Sequence, residues 1–159
     1  TVLQQKPQAR LLLCGQGENF EQSQQEAKAL GIAEMVLFCG NVNRPEDYLQ
    51  AMDVFVMTSL FEGLPIVGVE AQASGLPCVF ADTITQEVKI LPQTQFLALT
   101  QPDEAWAERI VQTKPMERSL AGHCVESAGF AEENLDRQVC ALYGMEEHHF
   151  ANISGRDHL

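Results

Sequence analysis

The sequence predicts an α/β fold of the doubly wound kind, with a parallel sheet flanked by helices. Short runs of four to six apolar residues lack polar alternation, as strands covered on both faces do. These runs alternate with helical stretches, the order that right-handed βαβ units produce. At 159 residues the chain has the size of one ordinary domain with a single core.

Arg10–Cys14 (RLLLC) reads as the first strand and is followed by Gly15, Gln16 and Gly17. A helix over about Asn19–Leu30 stops at Gly31, a natural residue just past a helix end. Met35–Cys39 (MVLFC) is the second strand, and Pro45–Met52 a short helix opened by its proline. Asp53–Thr58 (DVFVMT) is the third strand. Pro65–Ser74 is a helix with proline in its first turn and Gly75 at its end. Pro77–Ala81 (PCVFA) and Gln95–Leu99 (QFLAL) are the fourth and fifth strands. Pro102, Asp103 and Glu104 open a helix bearing Trp106 and Ile110, and helices over Pro115–Ala128 and Ala131–Tyr143 follow. The last sets Leu135, Val139 and Leu142 on one face, which is expected to be partly uncovered. The domain is expected to span 1–145, with 146–159 a disordered tail because periodicity is lost there. Thr1–Pro7 reads as the end of a helix feeding the first strand, so a further strand is expected before it. There is no internal repeat and no low-complexity segment.

The apolar content of 45% and charged content of 20% are those of a soluble globular protein. A formal charge of −12, with ten Lys and Arg and no basic stripe, excludes nucleic acid as a partner. Such a surface also repels phosphorylated ligands at long range, so any phosphate must be held by helix N-termini or a few placed cations. The five cysteines contain no C-x-x-C pair. Cys14, Cys39 and Cys78 lie in strand-like runs, and Cys124 and Cys140 in helical ones. They are expected to be reduced, mostly buried thiols in a reducing cytoplasm, not a zinc site. His123, His148, His149 and His158 lack metal-site spacing and are expected to face solvent. No signal peptide is expected, and no apolar run approaches the ~18–20 residues of a membrane span.

In an open α/β sheet ligands bind beyond the carboxyl ends of the strands. Those ends are Gly15–Gly17, Gly40–Arg44, Ser59–Pro65 and Asp82–Gln86. Ser59–Gly75 (SLFEGLPIVGVEAQASG) is the informative stretch. Its helix is apolar nearly all round and is expected to be buried, with Glu70 its only charge. A buried carboxylate needs a hydrogen-bonding partner, and from the second turn this one leans toward the helix N-terminus. Glu62 stands ahead of the helix, and Gly63, Leu64 and Pro65 form a turn that exposes backbone N–H groups to an anion. Two structural alternatives stand beside this: Glu70 pairing with Arg44 or Lys89, and Glu62 as a solvated loop charge. Gly15, Gln16 and Gly17 do not extend to a dinucleotide fingerprint, since Phe20 holds its last glycine position. Ser59 lacks the G-x-S-x-G elbow of hydrolases.

LLLCGQG, VLFCGNV and YLQAMDVFVMTSLFEGLPIVGVEAQASGLPCV together resemble the C-terminal domain of the family 4 retaining glycosyltransferases. The likeness runs in order from about Arg10 to Tyr143. The frame S-x-x-E-G-L-P-x-x-x-x-E-A-x-A-x-G-x-P carries it, and ADTIT-x-E-V is similar to members that build capsular or exopolysaccharides. The resemblance implies a Rossmann-like domain, one half of the two-domain GT-B architecture. It implies transfer of a hexose from a nucleoside diphosphate sugar, most often a uridine one, to a glycan or lipid-linked acceptor held by an N-terminal domain. Family members retain configuration without a metal or other cofactor, by front-face attack assisted by the leaving phosphate.

Carried over, Glu70 accepts hydrogen bonds from the ribose hydroxyls, and Glu62, the implied catalytic residue, lies beside the donor sugar. Gly63, Leu64 and Pro65 bring amides to sugar and diphosphate. Asn41 and Val42 border the base, and Gly15 and Gly17 floor the nucleotide. Two departures stand out. The family's phosphate-neutralising Arg and Lys precede this sequence, which predicts that the chain alone does not catalyse transfer. Thr83, Ile84 and Thr85 replace a glycine pair usual after the fourth strand. The expected location is the cytoplasm, which is compatible with peripheral contact of a larger protein with the inner face of the membrane. A nucleotide-sugar epimerase and a non-catalytic sugar-nucleotide-binding module are the alternatives; an NAD-dependent oxidoreductase is disfavoured.

Overall fold

A computed structural model of the chain describes residues 1–130. A short helix α1 (Val2–Gln5) leads into β1 (Leu11–Cys14), α2 (Phe20–Ala29), β2 (Val36–Gly40), α3 (Pro45–Gln50) and β3 (Phe55–Met57). Then come α4 (Ile66–Ala73), β4 (Cys78–Ala81), β5 (Gln95–Leu97), α5 (Asp103–Gln112) and α6 (Arg118–Val125). The anticipated helix over 131–143 with its Leu135, Val139 and Leu142 face, Cys140, the three C-terminal histidines and the tail lie outside the described residues.

Every strand pairing is parallel, as the unalternated apolar runs predict. The described strands form two sheets, one of β1–β2 and one ordered β3–β4–β5. The expectation that every run is covered on both faces holds for β4, which is buried throughout, and fails for β1. Leu11 is 51% exposed, and Leu13 and Cys14 are exposed as well. The reason is position: β4 is flanked by strands on both sides, whereas β1 has β2 alone. The cysteine expectation is corrected with it. Only Cys78 is buried among the described residues; Cys39 and Cys124 are half-buried.

The larger sheet is bound by aromatic contacts of Phe80 with Phe55 and Phe96, at ring separations of 6.1 and 5.8 Å. Helix α4 lies on this sheet, burying Gly68, Val69, Ala71 and Gln72. The Gly68 backbone sits so close to Phe80 that a Cβ there would meet the ring at 2.9 Å. The helix ends as its sequence anticipates: Gly75 takes a φ of 76°, its N–H donates to Gln72 O and Leu76 N–H to Ala71 O. That pair of bonds satisfies carbonyls the helix leaves open, and only glycine takes this conformation without strain. The helix begins one residue later than expected, with Pro65 at the N-cap. Helix α6, packed against α4, likewise starts later than Pro115, at Arg118.

Two polar side chains, Gln72 and Thr94, lie fully buried in this core and bond to each other. Gln72 Nε2 donates to Gly68 O and Val88 O at 3.0 and 2.7 Å. Its Oε1 accepts from Ile90 N, Leu91 N and Thr94 Oγ1 at 3.0, 2.9 and 2.8 Å. A single amide thereby fixes the segment after β4 to α4. Gln72→Leu keeps the volume but strips a partner from four backbone groups (Gly68 O, Val88 O, Ile90 N and Leu91 N) and from the Thr94 hydroxyl, each costing about 1–3 kcal/mol where it is left unsatisfied. The expected loss, read from urea unfolding, is about 3–5 kcal/mol after partial relaxation. A loss below ~1 kcal/mol would show that this loop is held by other contacts.

Candidate functional site

The sequence-derived residues gather in two clusters, each at the carboxyl end of one sheet. In the first, β1 and β2 run in register from Leu11 opposite Val36 to Leu13 opposite Phe38, after which Cys14 comes opposite Gly40. The shift lets Gly15 N donate to Gly40 O at 2.6 Å, stitching the Gly15–Gly17 turn to the loop of Asn41 and Val42. Gly15 holds a φ of 123°, a conformation that strains any residue with a Cβ. Asn41 is exposed and Val42 half-buried. Behind this turn an open depression of about 490 Å³ is lined by Gln16, Gly17, Glu18, Phe20 and Glu21. Its two carboxylates disfavour phosphate there.

The second cluster forms where β3 and β4 end. Glu62 pairs with Ile84 in a parallel bridge beyond the named strands, so the sheet ladder reaches past Ser59. Thr83 Oγ1 donates to Ser59 O at 2.7 Å, and Thr85 Oγ1 accepts from Glu87 N at 3.4 Å to open a short helical turn. The Thr-Ile-Thr departure thus has its own role: Thr83 ties the two loops, Ile84 is buried beneath them, and Thr85 caps the next turn. These contacts hold Gly63, Leu64 and Pro65 at the head of α4. Gly63 and Leu64 are exposed and Pro65 is buried.

The expectation of a buried Glu70 is wrong. Glu70 is exposed, as is Ile66 four residues earlier, and together they form the open stripe of α4. At 100° per residue Gly68, Val69, Ala71 and Gln72 share one arc, and Ile66 and Glu70 fall opposite. The proposed ion pair with Arg44 or Lys89 is absent among the described residues. Arg44 is engaged with Glu46 and Asp47 at 3.0 and 3.2 Å, and among the described residues no cation forms an ion pair with Glu70. His123 is exposed, as expected, 3.9 Å from Glu126.

The N-terminus of α4 differs from those of α2, α3 and α5. Those three helices carry acidic residues in their first turns, Glu21, Glu46 with Asp47, and Asp103 with Glu104. Helix α4 carries none, as α1 and α6 also do not, although α6 has Glu117 at its N-cap; like the other α-helices, α4 has no side-chain cap, its N-cap being Pro65. Its leading N–H groups and positive dipole end are therefore neutralised by no local carboxylate in that turn. No hydrogen bond among the described residues joins the two clusters.

The family described as Glycosyl transferases group 1 matches residues 1–122. The putative glycosyltransferase EpsF of Bacillus subtilis (strain 168) is 43% identical over 104 residues, 65% of this chain and 27% of that protein. The Vi polysaccharide biosynthesis protein VipC/TviE of Salmonella typhi is 34% identical over 141 residues, 84% of this chain and 24% of that protein. The chain spans about a quarter of the length of these curated relatives. The structure of Anabaena HepE in complex with UDP is similar, with a TM-score of 0.69 at 19% identity, covering 87% of this chain and 41% of HepE. The shared fold is the α/β, parallel-sheet fold of GT-B glycosyltransferases.

Because Glu70 is exposed and has no ion pair among the described residues, Glu70→Gln is expected to change unfolding free energy by no more than about 0.5 kcal/mol. Thermal or urea unfolding checks this. A loss above ~1 kcal/mol would return Glu70 to a structural role.

Proposed function

This chain belongs to the Glycosyl transferases group 1 family, and from that premise we propose that it is the donor-binding domain of a family 4 retaining glycosyltransferase. The parent enzyme would move a hexose from a nucleoside diphosphate sugar, with uridine as the base, to a glycan or lipid-linked acceptor in polysaccharide biosynthesis. The observation that carries this reading is the open N-terminus of α4, without a side-chain cap and flanked by Glu62 and by Glu70, which has no ion pair among the described residues. Exposed N–H groups at a helix start suit a diphosphate, and unpaired carboxylates suit hydroxyl donors. Support comes also from HepE, a structure of the same fold solved with UDP, and from the name of VipC/TviE, which is a polysaccharide biosynthesis protein.

In this reading Gly15, Gly17, Asn41 and Val42 receive the nucleotide. The amides about Gly63, Leu64 and Pro65 take the diphosphate and sugar, Glu70 binds the ribose hydroxyls, and Glu62 lies by the reacting sugar. No metal or cofactor is assigned a role. The acceptor is assigned to an N-terminal domain. We assign the gap between the sheets to a further parallel strand lying between β1 and β3. Joined through it, the described strands would follow the doubly wound order. The exposure of Leu11 and Leu13 on β1 supports this placement. A location on the cytoplasmic side, in contact with the inner membrane face, fits the same reading; no helix among the described residues is long and apolar enough to cross a membrane.

The chain by itself is expected to bind UDP-sugar with a Kd of roughly 0.1–1 mM, about 4–5.5 kcal/mol, and to transfer none; isothermal titration and product analysis with an acceptor panel test both parts. In the full-length enzyme Glu70→Gln should raise donor KM and lower kcat/KM by roughly ten- to a hundredfold, because a charge-assisted hydrogen bond is weakened. Glu62→Gln should act mainly on kcat. If Glu70→Gln leaves the UDP-induced rise in melting temperature unchanged, the ribose assignment is wrong.

A further inference from the structure

Two cysteines meet where the smaller sheet delivers its loops. Cys14 is the last residue of β1, and Cys39 precedes Gly40, the residue opposite Cys14 across the parallel pair. Had the register from Leu11 to Leu13 continued, Cys14 would face Cys39 directly; the shift displaces the partner by one residue only. Adjacent strands lie about 4.8 Å apart, so the two Cα atoms fall within the span of roughly 4.4–6.8 Å that a disulfide bridges. The thiols also sense one another. Desolvation first, then the Cys39 charge and a hydrogen bond to Cys39, hold the Cys14 thiol above its ordinary pKa. Cys14, the last residue of β1 at its loop end, is exposed among the described residues, and Cys39 is half-buried. The contrast within the chain is Cys78, buried and pushed up to about 12 by desolvation.

We propose that Cys14 and Cys39 form a redox-active dithiol that an intracellular low-molecular-weight disulfide of the glutathione type closes to an intramolecular disulfide. One cysteine thiolate attacks the external disulfide and expels one glutathione thiolate, leaving a mixed disulfide on the protein. The second cysteine thiolate then attacks the protein-bound sulfur and expels the other glutathione. Both cysteine protons end on the released glutathione thiols, and the protein loses two electrons to the external disulfide. A pair closed and reopened by thiol exchange in this way follows the cellular redox poise.

The position gives the bond a consequence. Cys14 leads into Gly15, Gln16 and Gly17, and Cys39 into Gly40, Asn41 and Val42, while Gly15 N donates to Gly40 O. Disulfide geometry is specific, and the two residues are offset by the register shift, so closing the bond moves the two loops against each other. If these loops receive the nucleotide, as proposed above, oxidation weakens donor binding. This step alone rests on that functional reading.

The test incubates the protein carrying this chain with glutathione disulfide, alkylates remaining thiols under denaturing conditions, and maps the peptides by mass spectrometry. A Cys14–Cys39 cross-linked peptide that dithiothreitol removes is the expected result, and Cys14→Ser should instead leave Cys39 with a stable glutathione adduct. Cys14 and Cys39 recovered unlinked in the wild type, whether alkylated or singly glutathionylated, overturn the dithiol. UDP titration then compares reduced and oxidised protein. The Kd is expected to rise about tenfold on oxidation, ~1.4 kcal/mol, with the double variant Cys14→Ser, Cys39→Ser insensitive to oxidant. Equal Kd values in cross-linked and reduced protein overturn the coupling to the nucleotide loops. Binding of UDP to neither form refutes the donor-site reading and the coupling with it, while the cross-link map still decides the dithiol.

Discussion

The larger sheet depends on one constraint: the segment following β4 must stay folded against α4, and a single buried amide does this. Gln72 fills all its donor and acceptor capacity from one helix face, spending two N–H groups on carbonyls and its oxygen on three donors. Apolar packing could hold the same volume, but it carries no direction. A saturated amide in a low-dielectric core specifies which residues of the loop come to the helix, because any slip leaves several groups unpartnered at once. The position of Ile84 and Thr83 above β4 follows from this anchoring at Val88, Ile90 and Leu91. Through Ile84 and Thr83, so do the positions of Glu62 and Ser59.

The two clusters are built differently for a physical reason. The loops after β3 and β4 are tied by side-chain bonds, a strand bridge and a buried amide, on a strand that is covered on all sides. The loops after β1 and β2 rest on glycines and one backbone bond, at the end of one strand that is mostly exposed and one that is mostly half-buried. Ordering is therefore strong around the head of α4 and weaker around Gly15 and Asn41. A small covalent or ligand-induced change acts more readily on the weakly held pair.

Element order was legible in the sequence because each strand is a short apolar run bounded by turn residues, and every named strand appears within two residues of its expected bounds. The helix ends at Gly31 and Gly75 were legible for the same local reason, since left-handed residues close both helices. What escaped was burial. Reading α4 as apolar all round placed Glu70 inside, although its angular position sets it opposite Gly68 and Gln72. The same wheel marks Gln72 as the polar residue on the buried arc, and the signal was present but overshadowed by the charge of Glu70. The exposure of β1 could not be read from RLLLC, because coverage depends on neighbours distant in sequence. Nor did cysteine spacing reveal the contact of Cys14 with Cys39, which depends on strand register. The roles of Thr83 and Thr85 were hidden too, because a hydroxyl's partner is set by tertiary structure.

The proposed binding of a diphosphate by an acidic chain poses an apparent contradiction, with 22 acidic residues against ten basic ones. Range resolves it. Long-range repulsion is screened over about 8 Å at physiological salt, whereas N–H groups at a helix start act in direct contact. The general charge therefore slows approach more than it weakens the bound state. Chemistry then divides the labour at the head of α4. Carboxylates and phosphates are both acceptors and cannot satisfy one another, so phosphate oxygens must turn to N–H groups and the two glutamates to hydroxyls. A nucleotide sugar presents both kinds of group in one molecule: a diphosphate flanked by the hydroxyls of ribose on one side and of the hexose on the other. A helix start without an acidic first turn, with one free carboxylate before it and another a turn inside, is complementary to that sequence of groups. A bare phosphate would satisfy the amides and leave both glutamates to water, and a neutral sugar would leave the amides unfilled.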